Sequence, residues 1–130
     1  MQKLSLIIIT VFAMLIFGLS QKAYEAIYYR GTTQNITVKF ILAYGYIEAC
    51  EIQTTDRKTK RTSKYLPVNS NADNDRKMKF YHYSTSGKTF SDYFMLEDIE
   101  EYYQHVPATI HGNYYFNRTA YSITLTRYRH

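Results

Sequence analysis

Val38–Gln53, VKFILAYGYIEACEIQ, is the stretch that decides how this chain folds. Its even positions (Val38, Phe40, Leu42, Tyr44, Tyr46, Glu48, Cys50, Ile52) carry the bulkier side chains. The odd positions (Lys39, Ile41, Ala43, Gly45, Ile47, Ala49, Glu51, Gln53) are smaller or more polar. A period of two marks a strand with one buried face. Read as one strand at about 3.3 Å per residue, the stretch would run roughly 50 Å, too long for a small domain. The chain is therefore expected to bend at Ala43–Gly45, through a bulge or a tight turn. Cys50, the only cysteine, falls on the bulkier face and reads as a packing residue. The flanking Glu48 and Glu51 would raise its pKa rather than activate it. A lone cysteine also rules out a disulfide-stapled core within the chain.

Upstream, Tyr24–Arg30 and Asn35–Leu42 flank a turn at Gly31–Gln34 and predict a first hairpin. Downstream, the basic run Asp56–Lys64 (DRKTKRTSK) reads as the tip of a second hairpin, with Lys60–Leu66 returning from it. Pro67–Arg76 is a polar loop. Lys77–Ser84 alternates, with Met78, Phe80 and His82 on one face and Lys77, Lys79, Tyr81 and Tyr83 on the other. After a turn at Thr85–Lys88, Phe90, Asp92, Phe94 and Leu96 share the next apolar face. Met95, Ile99, Tyr102, Tyr103 and Val106 then recur at three and four, which predicts a short helix near 97–104, with acids at its start and Pro107 ending it. Ala108–Phe116 and Thr119–Tyr128 form a last hairpin across Asn117–Arg118. The expected fold is mostly β: a small antiparallel barrel or two-sheet sandwich of about six to eight strands plus that helix. A membrane-spanning barrel fits poorly, because eight strands of about nine to eleven residues would consume the whole domain.

The N-terminus reads as a secretory signal peptide, residues 1–20. Lys3 is followed by apolar Leu4–Phe17 and then by the small residues of Gly18-Leu19-Ser20. The apolar run is shorter than the roughly twenty residues of a spanning helix, and no other segment offers one. Residues 21–130 are then a single small β-rich domain of an exported protein, periplasmic or extracellular. Asn35-Ile36-Thr37 and Asn117-Arg118-Thr119 match the N-glycosylation pattern, which matters only in a eukaryotic secretory pathway.

Charge narrows the function classes. Arg57 to Lys88 holds nine basic residues against two acids, whereas Thr89 to Asn117 holds five acids and no Lys or Arg. Arg57, Lys58, Lys60, Arg61 and Lys64 would form a patch for an anionic partner: a protein, a glycan or an anionic surface. Tyr65, Tyr81 and Tyr83 are the expected aromatic surface beside it, drawn from fifteen tyrosines in a chain without tryptophan. Aromatics beside cations also suit nucleic acid, but the export signal argues against that partner. The first expectation is thus an exported binding protein that needs no cofactor. The alternative is a barrel that carries a small apolar ligand, lined by Phe40, Leu42, Phe80, Phe94 and Ile123. A hydrolase or metal site can be drawn near Glu100, Glu101, His105 and His111, but the chain has no HExxH, no GxSxG and no glycine-rich phosphate loop.

Overall fold

The structure, a computed structural model, describes residues 24–68 and 76–130. The expected export signal lies outside these residues, as do positions 69–75 of the polar loop. Eight strands follow one another: β1 (Glu25–Thr33), β2 (Ile36–Tyr44), β3 (Glu51–Asp56), β4 (Thr62–Pro67), β5 (Met78–Tyr83), β6 (Tyr93–Leu96), β7 (Thr109–Phe116) and β8 (Thr119–Tyr128). Each pairs antiparallel with the next, and β8 pairs with β1 through Tyr28↔Tyr128, Tyr29↔Arg127 and Arg30↔Thr126. The sheet therefore closes into an up-and-down barrel, the first of the two expected architectures. Closure leaves no free edge.

Val38–Gln53 bends where expected. β2 ends at Tyr44, and Gly45 takes φ +89°, a left-handed conformation that glycine adopts without a Cβ penalty. A 3₁₀ turn at Ile47–Ala49 then leads into β3, which returns along β2 with Phe40 opposite Ile52. Cys50 packs at this bend, and its Sγ accepts the Ala43 N–H at 3.4 Å. Burial, reinforced by Glu48, pushes the thiol up to about 12 against the opposing backbone hydrogen bond. The first hairpin turns later than the sequence suggests, at Gln34-Asn35, with Thr33 opposite Ile36. Gly31 lies inside β1 instead. A Cβ there would stand 2.5 Å from the Thr124 carbonyl oxygen, so glycine is what lets β1 close against β8.

Alternate residues point inward and fill the barrel. Phe40, Leu42, Phe80, Phe94, Leu96 and Leu125 have no exposed surface, and Phe40 meets Phe80 edge-on at 5.7 Å. The residues drawn above as the lining of an apolar cavity are thus packed against one another as core. The outer face carries Arg30, Lys39, Glu51, Gln53, Lys64 and Lys79. An apolar interior beneath a polar exterior is the reverse of a bilayer-spanning barrel. No helix among the described residues is long and apolar enough to cross a membrane.

The two ends of the barrel differ. The tips at 34–35, 57–61, 84–92 and 117–118 form one end, because successive hairpins alternate in direction. The opposite end is closed by 97–108, which forms no helix. Asp98 adopts φ 57°, which interrupts a right-handed helix at its first turn. The segment's hydrogen bonds go to the barrel instead: the Gly45 N–H donates to Glu101 O (2.9 Å), Tyr44 Oη to Tyr103 O (3.1 Å) and Tyr29 Oη to Pro107 O (2.7 Å). Ile99, wholly buried, plugs this end. Of the apolar recurrence that suggested a helix, Ile99 is buried and Tyr103 and Val106 pack against the core, whereas Tyr102 is exposed.

Candidate ligand site at the barrel mouth

The open end holds a polar cluster built by strand register. Asp92 immediately precedes β6 and follows its inward parity with Phe94 and Leu96. Phe80 pairs with Phe94, so His82 on β5 comes opposite Asp92. Tyr65 on β4 faces His82, and Tyr114 on β7 faces Phe94. The four side chains meet at the Asp92 carboxylate. Its Oδ2 accepts hydrogen bonds from Tyr65 Oη (2.6 Å) and Tyr114 Oη (2.7 Å), and its Oδ1 lies 2.8 Å from His82 Nδ1. The His82 and Asp92 side chains are 12% and 10% exposed, so this contact is largely shielded from water, unlike the described Lys and Arg ion pairs.

Burial pulls the Asp92 carboxyl up. The hydrogen bonds from Tyr65, Tyr114 and His82 outweigh it and leave the group below the usual aspartate range. Burial first, and then the adjacent carboxylate, push both phenols up. Near neutral pH the cluster is therefore one carboxylate ringed by protonated phenols, a hydrogen-bonding arrangement that satisfies a buried charge. His82 is fixed on three sides. Asp92 holds Nδ1, Phe90 stacks on one side of the ring (centroids 3.8 Å apart, 11°), and Tyr65 packs against it at 4.6 Å. No described residue hydrogen-bonds its Nε2.

Above this cluster lies a depression of about 570 Å³. Tyr65, His82, Asp92 and Tyr114 line it together with Ile36, Phe90, Phe116 and Tyr121; Gln34, Asn35, Thr54, Asp56, Thr59, Arg61 and Ser63 complete the lining. A second hollow of about 460 Å³ adjoins it beside the tips of β4 and β5, lined in part by Lys64, Tyr83 and Lys88. The two share Arg61, Ser63, His82 and Phe90. A larger hollow of about 760 Å³ sits on the outer face of β8, β1, β2 and β3, over Gly31 and a group of threonines. It is lined by no buried titratable group, so the mouth is the better candidate.

The sequence-predicted patch divides. Arg57, Lys58 and Lys60 sit on the β3–β4 tip, where Asp56 Oδ1 accepts the N–H groups of Lys58 (2.8 Å) and Thr59 (3.0 Å) and fixes the turn. Arg57 donates to Gln34 O of the neighbouring tip. Arg61 lines the mouth, while Lys64 turns to the outer face, 3.5 Å from Glu51 and opposite Tyr83 in register. Lys88 and Arg118 also belong to tips at this end. Four of the five acids of the acidic run, Glu97, Asp98, Glu100 and Glu101, lie at the far end, where Asp98 and Glu100 pair with Arg76 at 3.7 and 3.1 Å, so these four do not neutralise the basic tips; the fifth, Asp92, is the carboxylate of the mouth.

The aromatic surface needs correction. Tyr81 and Tyr83 are exposed on the outer face of β5, but Tyr65 is buried. Its inward position follows from its register opposite Ile52 and His82. The residues drawn above as a hydrolase or metal site do not converge. His111 lies exposed on β7, 3.2 Å from Thr124 Oγ1, Glu100 is engaged by Arg76, and no described hydrogen bond joins His105 to a carboxylate. Among the described residues no group of three His, Cys, Asp or Glu side chains could hold a metal ion. The sequence reading missed the His82–Asp92 pair; no hydroxyl or thiol of the described residues is hydrogen-bonded to its Nε2.

No protein-family model, no curated protein and no solved structure matches this chain.

Proposed function

We propose that this protein is a binding protein that engages an anionic partner at the open end of its barrel. The observation that carries the reading is the grouping of Arg57, Lys58, Lys60, Arg61, Lys88 and Arg118 on the tips around a depression lined by a buried polar cluster. Clustered cations around a concave, low-dielectric opening raise the local concentration of anions and speed their capture. The packed interior turns attention from an enclosed apolar cargo to the mouth itself. The partner class, whether protein, glycan or anionic surface, is the one expected from the sequence.

The test is elution from an immobilised sulfated polysaccharide in a salt gradient. K58Q/K60Q/R61Q should elute at clearly lower salt than the parent. R30Q/K39Q/K79Q, which removes equal charge from the outer wall, should elute close to it. Equal shifts for both triple variants would mean that net charge alone drives retention, and the proposal would fall.

A further inference from the structure

Three features of the mouth go beyond a diffuse positive potential. The two adjoining hollows share Arg61, Ser63, His82 and Phe90, so one small region opens into both. The donors there are of the kind that hold an oxyanion: a guanidinium fork, a hydroxyl and an imidazole edge. Lys88 lines one of the hollows, and its Nζ lies 5.2 Å from the Phe90 ring centroid. Beside these donors stand exposed aromatics. Phe90 and Phe116 are exposed, whereas the other described phenylalanines, Phe40, Phe80 and Phe94, are wholly buried.

Building on the reading of the mouth as the binding end, we infer that Arg61, Ser63 and His82 form a receptor for a single oxyanion group carried on an aromatic or short apolar body. The carboxylate, sulfate or phosphate group lies against Arg61 and His82 Nε2, and the body covers Phe90 and Phe116. His82 is the specificity-determining contact. With Nδ1 engaged by Asp92 at 2.8 Å, Nε2 is the ring nitrogen left to meet the oxyanion, which it does as an N–H donor when the imidazole carries both protons.

The experiment is calorimetric titration of the purified protein with phenylacetate, phenyl sulfate and inorganic sulfate, none of which titrates near neutral pH. The expected result is binding of both aromatic anions, with inorganic sulfate weaker. R61Q and H82Q should each weaken binding of the aromatic anions about tenfold, the scale of one charge-assisted contact, and the outer-wall variant K39Q should match the parent. Unchanged affinity in R61Q and H82Q, or inorganic sulfate binding as tightly as the aromatic anions, overturns the inference. So does failure of all three probes; the polysaccharide elution then decides separately whether the broader reading survives.

Discussion

Asp92 is the residue whose replacement tests the structure most severely. Three donors converge on its two oxygens at 2.6, 2.7 and 2.8 Å. In Asp92→Asn the amide oxygen can still accept from the two phenols, and His82 can change tautomer to accept from the amide. What is lost is the charge assistance of three hydrogen bonds, about 1 kcal/mol each, partly offset by no longer burying a charge. The expected destabilisation is about 2–3 kcal/mol. Asp92→Leu removes every acceptor and leaves two buried hydroxyls and a ring N–H unpaired, at about 1–3 kcal/mol apiece, so it should cost at least about 3 kcal/mol and more than the Asn variant. Urea unfolding at pH 7, followed by tyrosine fluorescence and far-UV circular dichroism in this tryptophan-free chain, measures both. The pH dependence has a definite sign. Because the folded Asp92 carboxyl lies below its ordinary value, its stabilisation is complete above about pH 4 and drains away as pH falls through the folded pKa. The gap between parent and Asp92→Asn should therefore narrow on acidification below that point. Equal costs for Asn and Leu, or a Leu variant within 1 kcal/mol of the parent, would refute the idea that this carboxylate organises the mouth.

Other outcomes follow from single positions. Asn117 and Arg118 both have positive φ, 50° and 64°, in the two-residue turn between β7 and β8. Arg118→Gly should thus stabilise the fold by up to about 1 kcal/mol, seen as a raised urea midpoint. Ile99→Ala should cost about 2–4 kcal/mol and speed hydrogen exchange at the Gly45 amide, which donates to Glu101 in the same cap. Cys50, buried and with its thiol raised to about 12, should resist a disulfide reagent at pH 8 and react only on unfolding.

Much of the barrel was legible because inward and outward residues alternate cleanly. The Gly45 bend, the last hairpin across Asn117-Arg118 and the shared face of Met78, Phe80 and His82 can all be read from the chain. The helix expected near 97–104 failed because an apolar recurrence at three and four says only which residues seek the core. It does not say that one regular element carries them, and a loop pinned by Tyr44, Gly45 and Ile99 satisfies the same pattern. The polar cluster left a signal that was visible but not joined up. Asp92 interrupts the apolar face of Phe90, Phe94 and Leu96, and His82 interrupts that of Met78 and Phe80. Two strands joined by a hairpin, each with one ionisable residue on its inward face, have every reason to place those residues opposite each other, since neither could be buried alone. The burial of Tyr65 and the contribution of Tyr114 depend on register across four strands, which no local pattern encodes.

The direction of the strands has a practical consequence. β1 begins and β8 ends at the plugged end, so the chain enters and leaves the barrel on the side away from the basic tips. A tether attached where β1 begins or where β8 ends leaves the barrel presented mouth outward. The barrel can be immobilised at either of these points without hiding the face proposed to meet a partner.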